Sequence, residues 1–400
     1  MARQIQDAYI VAATRTPVGR APRGMLRNTR PDDLLVHAMK NVMQQAPGLD
    51  AGDVEDVIIG CAIPEAEQGM NVARIALLLA GFPDRVPGAT VNRFCASGLQ
   101  AVAQCADRIR LGEADVMLAG GTESMSMIPM GGHKISINER IFARNEDIAI
   151  GYGMGMTAER VAQQWKVSRE AQDEFATESH RKALTAIEKG EFKGEISPYP
   201  IDEKVPDLET REIVHRQKVM SVDEGPRPGT TPEVLAKLKP AFAVNGSVTA
   251  GNSSQTSDGA GAVILMSEAA LKRYNLRPLA RFLGYSVAGV PPDIMGIGPK
   301  LAIPNVLKRV GLQLADIDWI ELNEAFAAQA LAVMRDLEID PAKQNPLGGA
   351  IALGHPLGAT GAIRTATVVH GLRRRNLRYG MVTMCVGTGM GAAGVFEALS

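Results

Sequence analysis

Four residues stand where nucleophilic or proton-transfer chemistry would want them. Cys95, in "VNRFCASGLQAV", follows a strand-like run and opens a helical one. There the unpaired N–H groups and the positive end of the helix dipole favour thiolate over thiol. The local sequence alone leaves a second role open, that of a small buried hydrophobe. Cys105, mid-helix between alanines, reads as packing. His355, in "GHPLGATG", is held between Gly354 and Pro356 on a rigid loop at a helix start, a setting that the histidines at 37, 133, 180, 215 and 370 lack. Cys385 ends "YGMVTMC" ahead of "VGTGMGAAG", a strand end that can present a thiol into a cleft with backbone N–H groups nearby. Asn323, in "ELNEAFAAQ", follows a strand and starts a helix, where it is either an N-cap or a site residue.

The elements that must hold these residues belong to an ordinary soluble chain. Its 400 residues are 46% hydrophobic and 22% charged, with a net charge of -1. That length fits two or three domains around a large core. Scattered basic residues leave no footprint for nucleic acid or an anionic membrane, so the expected ligand is a small molecule. The cysteines at 61, 95, 105 and 385 form no CxxC pair and no ligand spacing with histidine. Metal and a disulfide framework are therefore not expected, and a reducing compartment is. The apolar run in "MARQIQDAYIVAATRTPVGR" is too short for a signal peptide, and "EALS" is no peroxisomal address, so the expected location is the cytoplasm. "NPLGGAIALGHPLGATGAI" is uncharged apart from His355 but too rich in Gly and Pro to span a membrane.

Strands alternate with helices. "DVEDVIIGC", "GATVNRF" and "ADVMLAGG" read as strands, "NVARIALLLAG" and "SGLQAVAQCADRIRLG" as helices. This is an α/β layout. From about 122 to 250 the texture turns rich in Met and Gly and then amphipathic. "SREAQDEFATESHRKALTAIEKG" predicts a helix capped by Ser168 with Phe175, Leu184 and Ile187 on its buried face. The α/β texture then returns. Three units are expected: 1–121 with 251–277, an inserted 122–250, and 278–400. The outer two resemble one another at an offset of about 260 residues, which indicates a duplicated α/β unit. Matching Gly98 after Cys95 with Gly358 after His355 makes Cys95 and His355 equivalent places beside one pseudo-twofold axis. "GMGAAG" near the end imitates a dinucleotide fingerprint, but no helix and acidic residue follow it, so a Rossmann site is excluded.

"VNRFCASGLQA", "NEAFAAQA", "GGAIALGHPLGATG" and "CVGTGMGAAG", in this order, resemble the thiolases, specifically degradative acetyl-CoA acyltransferases. The likeness runs from "YIVAATRTPVGR" to the C-terminus. It implies a five-layered αβαβα fold of two similar halves, with an inserted loop domain over the active site. It implies that Cys95 is the nucleophile, His355 its base and Cys385 a second acid and base. Asn323 would hold a water that joins His355 in one oxyanion hole, and the backbone N–H groups of Cys95 and Gly387 would form another. Around coenzyme A, a co-substrate with no further cofactor, the family pattern places Met154, Arg227, Phe242, Ala250, Ser254, Met295, Ala325 and Phe326. Dimers or tetramers are implied, and in some relatives a multifunctional β-oxidation partner. Gly153 stands where some biosynthetic members carry histidine, and Leu347 where many carry asparagine. Both departures favour thiolysis of broader chain length in fatty-acid breakdown over an acetoacetyl-CoA-specific biosynthetic enzyme. A ketoacyl synthase would not need Cys385, a non-catalytic lipid carrier need not keep all four polar groups, and nothing marks the water activation that a Cys-His hydrolase requires.

Overall fold

The computed structural model describes residues 5–144 and 148–399. The first half runs β1 (Ala8–Arg15), β2 (Gly19–Arg20), α1 (Pro31–Gln44), β3 (Asp56–Gly60), α2 (Val72–Leu79), β4 (Gly88–Val91), α3 (Ser97–Arg110) and β5 (Val116–Ser124). A long excursion follows with α4 (Met154–Gln164), α5 (Arg169–Glu188), the hairpin β6 (Tyr199–Pro206) and β7 (Ile213–Met220), and the single turn α6 (Pro232–Leu235). The sheet resumes at β8 (Ser257–Met266), followed by α7 (Glu268–Tyr274). The second half is β9 (Ala280–Gly289), α8 (Pro299–Val310), β10 (Trp319–Leu322), α9 (Ala327–Leu337), α10 (Ala350–Leu353), α11 (Thr360–Arg374), β11 (Tyr379–Val386) and β12 (Met390–Ala398).

The strand order β10-β11-β12-β9-β1-β8-β5-β3-β4 is symmetric about the β9–β1 junction, except that β4 at the end and β2, which pairs with β8 off this path, have no counterpart. The halves share a parallel pair (β3–β5, β10–β11) followed by an antiparallel one (β5–β8, β11–β12), and β4 adds a second parallel pair with β3. The halves join through Ala8–Phe282, Tyr9–Arg281 and Ile10–Ala280. Period-2 alternation makes the layers, because successive side chains of a strand face opposite ways. Val57 and Ile59 pack with Leu34, Val42 and Leu77 of α1 and α2. Ile58 faces inward with Leu99 and Val102 of α3, as do Val382 and Met384 of the other half with Val368 and Leu372 of α11. Met381 faces outward against Ile303 of α8 and Val333 of α9. The result is five layers, αβαβα, with α3 and α11 shared at the centre.

A constant offset of 263 residues relates Asp56 to Trp319, Ser97 to Thr360 and Val116 to Tyr379. This confirms the duplication and corrects its register. Cys95 corresponds to Gly358, and His355 lies three residues earlier. The glycines that the axis demands are Gly98 and Gly361, where α3 and α11 cross. A Cβ on Gly98 would lie 2.7 Å from the Ala362 nitrogen, and one on Gly361 would lie 2.0 Å from that of Leu99.

Ser168 caps α5 as expected, its side chain accepting the Ala171 N–H. The buried face of α5 differs from the expectation. Phe175, Leu184 and Ile187 are half-buried, while Gln172, Asp173, Ala176, Ser179, His180, Ala183 and Ala186 face inward. Small side chains let α5 lie close to α10, and the polar ones find partners there and in the loops, which a periodicity argument cannot foresee. The excursion is tied to β1 by Arg15, fully buried, whose guanidinium meets Glu195 at 2.7 Å and Asp223 at 2.8 and 2.9 Å. Among the described residues no helix is long and apolar enough to cross a membrane, and no group of three or more His, Cys, Asp or Glu is arranged to hold a metal.

Candidate active site

Cys95 lies on a 3-10 turn, Phe94–Ala96, that leads into α3. Ser97 pins the turn, its hydroxyl accepting the Arg93 N–H at 2.8 Å and donating to the Phe94 carbonyl at 2.6 Å. The turn packs against its counterpart in the other half, Leu357–Ala359, and against β11. The Cys95 sulfur is half-buried and receives the N–H groups of Gly387 and of Cys95 itself. Burial outweighs both donors and pushes the thiol up to about 11, and the Glu123 carboxylate adds to the rise. The N–H groups favour the thiolate, as the sequence suggests, and burial acts against them.

His355 lies between α10 and the Leu357–Ala359 turn and is 4% exposed. Its Nε2 is 3.3 Å from Asn323 Nδ2, and its Nδ1 is 2.6 Å from Thr360 Oγ1. In this orientation the Asn323 amide nitrogen only donates, so Nε2 presents its lone pair and Nδ1 carries the proton. The Thr360 hydroxyl accepts from Nδ1 and donates its own hydrogen bond to the Pro356 carbonyl at 3.2 Å. Burial, with the Arg364 charge, holds His355 down at about 3, so the imidazole is neutral. The His355 N–H donates to Ser257 Oγ at 3.1 Å, which anchors the loop to β8.

Asn323 directly follows β10, and its N–H donates to the Thr383 carbonyl at 2.9 Å. It is not an N-cap. α9 begins at Ala327 with Phe326 in the capping position, and Asn323 Oδ1 is buried with no partner among the described residues. Cys385 sits two residues beyond Thr383 on β11 and is 1% exposed. Burial raises its thiol well above the ordinary range, and a thiolate on Cys95 would raise it further.

The residues expected around coenzyme A divide into two sets. Met154, Met295, Ala325 and Phe326 form one apolar cluster with Ala158, Val248 and Cys385. Phe242 meets Phe326 edge to face at 6.1 Å, and the Ser254 N–H donates to the Ala325 carbonyl at 2.9 Å. Ala250 and Arg227 are exposed. Only the Arg227 backbone is anchored, its N–H donating to Nδ1 of buried His180 at 3.1 Å. A cleft of about 500 Å³ on the outer side of α4, lined by Met156, Arg160, Ser168, Asn245 and Ser247, includes none of the four polar residues. Gly387 has room beside it, a Cβ there coming only to 3.7 Å from Met154 Sδ and 3.8 Å from the Phe94 ring.

Sequence reasoning missed the supports. Thr360 sets the His355 tautomer. Glu123, fully enclosed, accepts the N–H groups of Ala62 at 2.8 Å and Gly358 at 2.7 Å, joining the loop after β3 to the Leu357–Ala359 turn. Glu324 does comparable work beside Asn323. No local signal separates these from surface carboxylates; only the glycines that approach them hint at it.

The chain matches the family models for the thiolase N-terminal domain over residues 8–269 and the thiolase C-terminal domain over residues 276–398. A 3-ketoacyl-CoA thiolase of Bacillus subtilis (strain 168) is 52% identical over 394 residues, covering 98% of this chain and 100% of that one. The peroxisomal 3-ketoacyl-CoA thiolase A of Mus musculus is 48% identical, covering 98% and 91%. Human mitochondrial 3-ketoacyl-CoA thiolase, also solved in complex with CoA, superposes with a TM-score of 0.88 at 40% identity over 99% of each chain. An acetyl-CoA acetyltransferase from Bacillus anthracis superposes equally, with a TM-score of 0.88 at 42% identity over 99% of this chain and 100% of that one. With both halves matched by family models, relatives near 50% identity and the same layered fold in solved thiolases, this chain belongs to the thiolase family of acyltransferases.

Proposed function

We propose that the protein cleaves 3-oxoacyl-CoA with free CoA to acetyl-CoA and a shortened acyl-CoA through an acyl-Cys95 intermediate, in fatty-acid β-oxidation. The observation that carries this is His355, whose Nδ1 is held by Thr360 at 2.6 Å and whose Nε2 lies 3.3 Å from Asn323 Nδ2, in a chain matched along both halves by the thiolase family models. His355 takes the Cys95 proton as the sulfur attacks the substrate's C3 ketone, and the alkoxide rests on the N–H groups of Cys95 and Gly387. Collapse breaks the C2–C3 bond. The electron pair leaves as the enolate of acetyl-CoA, its oxygen held by the protonated Nε2 and a water on Asn323, and Cys385 supplies the proton to carbon. The Cys385 thiolate then deprotonates a fresh CoA, whose sulfur removes the acyl group. Cys95 recovers its proton from His355.

In this reading the Met154, Met295, Ala325 and Phe326 cluster lines the path of the pantetheine, with Phe242, Ala250 and Ser254 beside it. Arg227 meets the nucleotide end, where a cation suits phosphate or adenine. The 122–250 insertion covers the site between the units 1–121 with 251–277 and 278–400. The enzyme works in the cytoplasm as a homodimer or homotetramer, with CoA as co-substrate and no metal. Acetoacetyl-CoA and CoA in the presence of the protein should lose enolate absorbance, and Cys95→Ala should abolish the loss. No consumption, or consumption without CoA, would overturn the reading. The likeness to an acetyl-CoA acetyltransferase supports a second reading, restricted to acetoacetyl-CoA. Equal or faster thiolysis of longer 3-oxoacyl-CoA substrates would exclude it.

A further inference from the structure

Glu324 follows Asn323 directly and is 1% exposed. Its carboxylate meets four donors: Ser179 Oγ at 2.7 Å, Asn345 Nδ2 at 2.8 Å, the Ile351 N–H at 3.2 Å and Gln344 Nε2 at 3.4 Å. These come from three separate parts of the chain. Ser179 lies on α5 of the insertion, Gln344 and Asn345 on the segment beside β10, and Ile351 in α10, which ends just before His355.

Each partner is fixed in turn. Asn345 grips the end of β10 from both sides, its Oδ1 accepting the Leu322 N–H at 2.9 Å and its Nδ2 donating to the Leu322 carbonyl at 2.8 Å. The Ser179 hydroxyl donates to Glu324 and accepts the Gly349 N–H at 3.1 Å. Gly349 is the residue that lets the carboxylate in, since a Cβ there would lie 2.1 Å from Glu324 Cδ. A buried carboxylate is costly to desolvate, and its hydrogen bonds offset that cost only when geometry is held. Here they join the residue beside Asn323 to the helix that leads into His355.

We propose that Glu324 is a positioning residue that sets the 3.3 Å separation of Asn323 Nδ2 and His355 Nε2, and that Ser179 makes that separation depend on how α5 of the insertion is seated. The proposal rests on the reading in which Asn323 and His355 together hold the enolate oxygen. Acylation of Cys95 needs the His355 lone pair and the Cys95 and Gly387 N–H groups. Enolate formation needs Asn323 and His355 in register. Loss of the clamp therefore strikes the second step harder.

The test uses the full-length enzyme, Glu324→Gln and Ser179→Ala, each incubated with acetyl-CoA in D2O. Mass spectrometry reads acetyl-Cys95 on the protein and deuterium in the acetyl methyl of recovered acetyl-CoA. In both variants deuterium exchange should fall roughly tenfold or more, the scale set by small misplacements of reacting groups. Acetyl-Cys95 formation and KM for CoA should stay within about threefold, well below that scale. Ser179→Ala leaves the carboxylate and its three other donors in place, so it keeps the test valid if Glu324→Gln fails to fold. Exchange that is undiminished, or that falls in step with acylation in a folded variant, overturns the proposal. A wild-type enzyme that forms no acetyl-Cys95 overturns the functional reading and this proposal with it; normal acylation with unchanged exchange in the variants overturns this proposal alone.

Discussion

Under the proposed mechanism, replacing Cys385 with alanine should separate acylation from carbon protonation. The side chain is 1% exposed and packs with Ala158, Val248, Met295, Ala325 and Phe326, so the substitution leaves a void of one sulfur. Such a void costs about 1 kcal/mol, too little to unfold a domain of this size. The kinetic effect is larger. Burial keeps Cys385 protonated through neutral pH, ready to act as an acid. Removing a general acid costs a factor of roughly 10²–10⁴, or about 3–5 kcal/mol of barrier. The loss falls on carbon protonation, because the acetyl-CoA carbanion is far more basic than the CoA thiolate, whose thiol has a pKa of about 8.5. Cys385→Ala should therefore still form acetyl-Cys95 from acetyl-CoA while failing to wash solvent deuterium into the acetyl methyl group. Mass spectrometry of the protein and of recovered acetyl-CoA reads both steps. Wild-type exchange in the variant would refute the assignment.

Iodoacetamide should modify Cys95 first in the folded enzyme, because Cys61, Cys105 and Cys385 are all buried; equal labelling by peptide mapping would refute this. His355→Ala should keep its fold and lose turnover by a factor on the order of hundreds, since base and oxyanion donor vanish together; near-normal thiolysis would exclude the role. Asp223→Ala strips buried Arg15 of a two-pronged partner and the Val18 N–H of its acceptor, and should destabilise by about 3–5 kcal/mol in urea titrations. A loss below about 1 kcal/mol, the scale of an exposed pair, would count against the anchor. His355 at about 3 and His180 at about 4 lie below the unfolded value, both chiefly through burial. Their contribution is whole above about pH 6.5 and is lost as pH falls toward the folded values, by about 1.4 kcal/mol per unit for each group. His180→Gln should flatten the fall of the urea midpoint between pH 6.5 and 4.5, and an unchanged slope would refute that linkage.

Local sequence was enough to nominate Cys95, His355, Cys385 and Asn323 as candidates, because each sits near the end of a strand or helix beside a distinctive turn, and turn chemistry is written in adjacent residues. The layered α/β fold was legible for the same reason, since period-2 and helical patterns are local. Tertiary structure decided the rest. It set the duplication at Gly98 and Gly361, because the register depends on which glycines let α3 and α11 cross. It gave α5 an inward face of small and polar side chains, because hydrogen bonding outweighs periodicity once partners arrive from distant segments. The Cys95 thiol is pushed up and His355 held toward the neutral imidazole, because burial, which acts against charge, is a property of the surroundings. Glu123 and Glu324 read in sequence as ordinary acidic residues; only packing shows them as enclosed carboxylates, since their donors lie tens to hundreds of residues away along the chain.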